Sequence, residues 1–266
     1  MIKVQKGAEP QILQTNKSKW TADLLALVHQ YQSYDKIPQK EKESATKFYR
    51  HPDIQTALKS SNGLAKCVYC ESLVNLTSPC TIDHYFPKSL YPSKTFEWEN
   101  LFACCSLCNM AKGNFDTGKQ LFIHPVSDDP EDFLTFEDIM YVPKTGTGVG
   151  YQKAQNVIEA CNLQRIPLIQ EHSLFLIAFI GCREAIKENL EKYSGYQNET
   201  YKIQVLSKIL STLNGLKNEA SNDAKYSGFI RHLLRKTDII GKAVTLVNLH
   251  KSDVGLADDF DWGFVF

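Results

Sequence analysis

Apolar positions recur at helical spacing over most of the chain, and a polar, cysteine-bearing stretch near the middle interrupts them. In Lys19–Tyr34 the side chains of Trp20, Leu24, Leu27, Val28 and Tyr31 share one face at a 3.6-residue period, which predicts an amphipathic helix. Ile37-Pro38 breaks the pattern, a second helix is expected through EKESATKFYR, and a third from Pro52, with SSNGLAK as the turn into the next region. Helical periodicity returns at Tyr151–Cys161, where Ala154, Val157, Ile158 and Cys161 align, and continues over Pro167–Tyr193, Tyr201–Leu216 and Ser227–Leu234. The run LFLIAFIGC, Leu174–Cys182, is apolar on every side but short, so it predicts a helix buried in a bundle or docked on a partner. The tail LADDFDWGFVF reads as a docking strand or a tucked-in terminus.

The middle stretch has a different rhythm. Val68 to Leu76 should form a tight knuckle and a connection, and Thr81–His84 a brief strand. Tyr85–Phe96, with two prolines, reads as loop. Trp98–Cys104 returns as a second strand, and a short helix from Cys108 is stopped by Gly113. Residues 126–150 are acidic with turn-forming Pro and Gly, a loop-rich connector with room for a short hairpin. The expectation is an α+β protein, mostly helical. Its four parts are N-terminal helices (1–60), a small two-strand-and-helix core (61–125), the connector (126–150) and a C-terminal helical bundle (151–266).

Composition narrows the class. No run reaches the ~18 consecutive apolar residues of a membrane span, and the opening MIKVQKGAEPQILQ lacks an apolar secretory core, so a cytoplasmic protein that does not enter the membrane is expected. In that reducing compartment eight cysteines argue for metal or buried thiols over disulfides. Thirty basic and thirty acidic residues cancel, which excludes nucleic-acid binding by bulk charge and leaves a local lysine patch or a partner's help.

The chemistry concentrates between Cys67 and Asn114. Two Cys-x-x-Cys pairs, Cys67/Cys70 and Cys105/Cys108, have the spacing of a structural zinc site, with Cys104 as an alternative to Cys105. Phosphodiester hydrolysis needs a base, a cation and a group that fixes the base's tautomer. His84 is the residue here able to take a proton near neutral pH, and so the general base. Asp83 and Asn109 offer hard oxygens suited to Mg²⁺ or Mn²⁺. Asn100 is placed to fix the His84 imidazole or its loop, and Lys88 and Lys112 to touch phosphate. A non-catalytic zinc module that binds nucleic acid or scaffolds a partner needs only the thiols; Asp83, His84, Asn100 and Asn109 together favour an enzyme.

The order Asp83-His84, Asn100 and Cys105-x-x-Cys108-Asn109-x-x-Lys112-Gly113 resembles the HNH endonucleases, over about residues 64–116. Asn109 stands where those proteins often carry histidine. The resemblance implies a zinc-stapled ββα-metal core, one catalytic Mg²⁺ or Mn²⁺, and products with 5′-phosphate and 3′-hydroxyl ends. LAKCVYCES, DHYFPKS, WENLFACCSLCNMAKGN, FIHPVSDDPED and NVIEACNLQRIPLIQ further resemble the HNH subunits of Septu and related retron-associated anti-phage systems. That likeness implies a prokaryotic cytoplasmic nuclease acting on DNA, or alternatively RNA, beside an ABC/SMC-like ATPase.

Overall fold

The computed structural model describes residues 1–61, 65–74 and 80–263, so parts of the expected SSNGLAK turn, of the Val68–Leu76 connection and of the tail lie outside the described residues. The chain forms two compact units, Met1–Arg165 and Ile166–Phe266.

In the first unit, helix α1 spans Gln11–Tyr31. It starts eight residues before the expected helix because Leu13 extends the buried stripe of Trp20 and Leu24 by two turns. Helix α2 (Gln39–Thr46) follows Pro38, a one-turn 3₁₀ segment covers Lys47–Arg50, and α3 (Pro52–Ser60) carries Pro52 in its first turn, where a missing N–H costs nothing. Strands β1 (Cys80–His84) and β2 (Leu101–Cys105) then pair antiparallel, Ile82 facing Ala103 and His84 facing Leu101. Helix α4 (Ser106–Lys112) begins directly at the end of β2 and stops at Gly113, whose φ of 49° disfavours any residue with a Cβ.

The side-chain alternation of a strand gives this ribbon two faces. Ile82, Leu101 and Ala103 join Leu13, Trp20, Leu24, Ile54 and Leu58 in one core, so the N-terminal helices cover the face that also carries His84. Thr81 and Asp83 project from the other face, toward α4. The acidic connector contains helix α5 (Pro130–Phe133) and a hairpin, β3 (Leu134–Glu137) with β4 (Met140–Pro143), which turns through Asp138 at positive φ. Helix α6 (Gly148–Ala160) completes the unit.

The second unit is helical: α7 (Ile166–Gly195), α8 (Glu199–Glu219), α9 (Ser227–Arg235) and α10 (Asp238–Leu249). Its core joins Phe179 and Ile186 to Ile209, Leu213, Ala243 and Val247. Helix α10 has no counterpart among the expected helices. Phe260 and Trp262 pack into the same core, so the described part of the tail is tucked in. The all-apolar run of α7 is only partly covered, with Phe179 at 4% exposure but Leu174 at 63% and Ile177 at 66%. By length and composition α7 is also long and apolar enough to cross a membrane.

Candidate active site and metal centre

The metal centre is assembled by two short turns. Cys67 and Cys70 lie in a knuckle closed by Cys67 N–H to Ser72 O (2.8 Å) and Glu71 N–H to Cys67 O (3.0 Å), with Glu71 at positive φ. Val68 N–H bonds Ala103 O at 3.0 Å and ties the knuckle to β2. Cys105 ends β2, and its sulfur accepts the N–H of Cys108 in the first turn of α4 at 3.4 Å. The sulfurs of Cys67, Cys70, Cys105 and Cys108 all lie within 4.8 Å of one another and are buried. A tetrahedral ion with Zn–S bonds of ~2.3 Å requires S···S separations of ~3.8 Å. The Cys70–Cys105 separation is 3.7 Å, so the quartet fits structural zinc.

Cys104 Sγ is also 3.7 Å from Cys67 Sγ, yet it lies outside the quartet. Burial raises its thiol pKa well above the usual range, whereas S–H donors from Cys104, Cys108, Cys67 and Cys70 pull that of Cys105 far down. Of the two neighbouring cysteines it is Cys105 whose sulfur lies within 4.8 Å of those of Cys67, Cys70 and Cys108, and so Cys105 is the one placed to complete the quartet. Arg165 closes the site, its guanidinium donating to Cys70 Sγ at 3.2 Å and Cys108 Sγ at 3.4 Å. Burial opposes the arginine's charge, but the Cys108 and Cys70 sulfurs outweigh it and raise its pKa. Four thiolates around Zn²⁺ carry two net negative charges, and Arg165 offsets one of them.

Asp83 and His84 are neighbours in sequence, but strand alternation sends them to opposite faces of β1. His84 is 5% exposed, with its ring edge-on to Tyr49 at 4.7 Å. Its Nε2 lies 3.0 Å from the Thr95 carbonyl. A carbonyl can only accept, so Nε2 carries the proton and Nδ1 is the free base nitrogen. Burial, followed by the charge of Lys88, lowers its pKa to about 3 and keeps the ring neutral. Asn100 holds the loop that supplies Thr95: its side chain accepts from Phe86 N–H at 2.6 Å and donates to Lys94 O at 2.8 Å. It lies in the 3₁₀ turn just before β2, one residue outside the strand.

On the other face Asp83 is 3% exposed. Its Oδ2 accepts from Tyr69 OH at 2.7 Å and its Oδ1 from Lys112 Nζ at 3.0 Å. Burial first, and then the charge of Asp83, raises the Tyr69 pKa, so the phenol stays protonated and donates. Lys112 also donates to the His84 carbonyl at 2.8 Å, and its side chain is fully buried. The expectation that Lys112 touches phosphate is therefore corrected: α4 turns it inward, because a buried carboxylate without a counter-charge is strongly unfavourable. Asn109 Nδ2 donates to Thr81 Oγ1 at 2.9 Å, and its side-chain oxygen Oδ1 accepts no hydrogen bond among the described residues. Lys88 is half-buried, its ammonium 5.8 Å from the centre of the Tyr49 ring.

The expected residues thus form two clusters. One is the thiol quartet; the other is β1, with His84 and Lys88 toward one face and Asp83, Asn109 and Lys112 toward the other. Asn100 sits under the intervening loop. The sequence reading missed Tyr69, Thr95, Tyr49 and Arg165. Tyr69 lies inside the first Cys-x-x-Cys, the one position of the four with a local signal.

Residues 67–115 match the family model described as HNH endonuclease. The chain is 27% identical to the Septu protein PtuB of Bacillus thuringiensis, a likeness that spans 75% of this chain and 75% of that one. It is 29% identical to the Septu protein PtuB of Bacillus mycoides, over 65% of this chain and 66% of that one. Residues 67–115 thus resemble the HNH endonuclease family, within a chain similar along most of its length to the Septu protein PtuB.

Proposed function

We propose that this protein is a Mg²⁺- or Mn²⁺-dependent HNH endonuclease that hydrolyses DNA phosphodiester bonds as the effector of a prokaryotic anti-phage complex with an ATPase partner. The observation that carries this reading is the tautomer of His84. With Nε2–H held by Thr95 O, the imidazole presents an unprotonated Nδ1. The negative charge of a bound phosphate would raise the pKa that burial and Lys88 lower, so that Nδ1 can take the proton of an attacking water. Asn100 bonds Lys94 O, next to Thr95, and so positions the base through its loop.

Among the described residues β1 is paired on one edge only, in a two-stranded sheet. A phosphodiester laid along its free edge is flanked by His84 from one face and Asp83 from the other. Among the described residues Asp83 uses two of its carboxylate lone-pair sites and Asn109 leaves its side-chain oxygen unused, so the donor chemistry of the pair fits a hard divalent ion. When bound, such an ion neutralises charge on the phosphate and the leaving oxygen. Asp83 and Asn109 would hold such an ion, and the Lys112 ammonium, which bonds both Asp83 Oδ1 and the His84 carbonyl, would keep the second of these contacts beside it.

His84 and Asp83 are both nearly covered, so the chain alone holds a closed site and the partner controls access to it. The assay is cleavage of plasmid DNA and of RNA, with Mg²⁺, Mn²⁺ or chelator, in the presence and absence of the candidate ATPase. Metal-dependent DNA cleavage that rises with the ATPase is expected, and Asp83→Asn should abolish it. Cleavage of RNA alone overturns the DNA assignment. Equal cleavage in chelator overturns the divalent ion.

A further inference from the structure

Part of the cationic surround of His84 comes from outside the HNH-matching residues. The ring covering it, Tyr49, belongs to the 3₁₀ turn between α2 and α3 and is itself buried at 5% exposure. Two cations converge on that ring. Arg50 donates Nε–H to Tyr49 OH at 3.0 Å and holds its guanidinium carbon 5.1 Å from the ring centre; Lys88 holds its ammonium 5.8 Å from the same centre. The positive charges acting on His84 are those of Lys88, Lys112 and Arg50.

These three differ in one respect. Lys112 is neutralised by Asp83, whereas neither Arg50 nor Lys88 has a carboxylate within salt-bridge distance among the described residues. In a chain whose thirty basic and thirty acidic residues cancel, two unpaired cations sharing one ring are a local excess of charge. Water screens their repulsion, and a bridging anion would turn it into attraction on both sides. Arg50 is exposed and Lys88 half-buried, so both reach solvent.

We propose that Arg50 and Lys88 form a phosphate-binding rim beside His84, so that the N-terminal helical segment supplies part of the nucleic-acid site that residues 67–115 lack. The inference rests on the nuclease reading and specifies where that site grips the backbone. A planar guanidinium donates two N–H bonds to a phosphate, and an ammonium acts as a point charge. Tyr49 fixes the arginine by its hydroxyl and sets it next to the base.

The test uses the full chain and short fluorescent DNA duplexes. Binding is measured without divalent metal over a range of salt, and cleavage with Mg²⁺ in parallel. Arg50→Ala should weaken binding about tenfold at low salt and make the log–log salt slope shallower by about one, the signature of one lost phosphate contact. Arg50→Lys should restore the slope but not the full affinity. Lys187→Ala, an exposed lysine of the second unit, should bind as wild type does. Zinc content and circular dichroism establish that each variant is folded. An Arg50→Ala protein with wild-type slope and affinity overturns the rim, as does a wild type without salt-dependent binding. Lost slope in a protein that never cuts supports the rim and removes only the nuclease reading.

Discussion

The thiol quartet and the Asp83–His84 centre share one strand pair, yet they are finished to different degrees. Around Cys67, Cys70, Cys105 and Cys108 every position of a tetrahedron is filled by protein and a guanidinium covers the outside. At the other centre Asp83 is latched by Lys112, His84 is capped by Tyr49, and Asn109 leaves an oxygen unused. A closed site of soft ligands contributes folding energy, and a site with unused lone pairs is built to exchange what it holds. The two centres are coupled mechanically, since β2 ends in Cys105 and pairs along its length with the strand that carries Asp83 and His84.

The largest effect should come from breaking the closed site. Cys108→Ser, or removal of zinc by a strong chelator, should abolish the cooperative thermal transition of the first unit; metal analysis of the wild type should find about one zinc per chain. Next in size is the latch. Lys112→Met leaves Asp83 buried without its counter-charge and should cost ~3–5 kcal/mol in denaturant unfolding, and adding Asp83→Asn should recover part of it.

The third test is a pH dependence. In the folded chain the His84 pKa is about 3, and in the unfolded chain ~6.5, so between those values the unfolded state binds more protons. The stability owed to this neutral ring is full above ~6.5 and lost as pH falls toward 3. Wild type should therefore lose about 2 kcal/mol more than His84→Gln between pH 7 and pH 5, measured by urea unfolding. The smallest effect is at the rim of the metal centre, where Arg165→Met should weaken zinc binding about tenfold in a competition assay while leaving the fold intact.

Legibility in the sequence followed distance along the chain. Two Cys-x-x-Cys pairs, the Asp83-His84 dipeptide and the Gly113 stop are local signals, and each lies where its spacing placed it. Lys112 was misread for a tertiary reason: a lysine before a helix-stopping glycine looks exposed, but α4 packs on β1 with that side chain inward. Arg165 approaches Cys108 across 57 residues, and no periodicity announces such a contact. Helix α10 escaped because DIIGKAVTLVNL mixes a mid-helix glycine with β-branched residues, and burial of Ile240, Ala243 and Val247 overrides that weak propensity.

The most direct test of the division between a folding site and a chemical site is one comparison, His84→Ala against wild type, in zinc content, thermal melting and DNA cleavage with Mg²⁺ and the candidate ATPase. The predicted result is one zinc per chain in both proteins, cooperative melting in both, and cleavage reduced at least ~100-fold in the variant. A His84→Ala protein that cuts as fast as wild type, or a wild type inert with every metal and with the ATPase, would contradict the account.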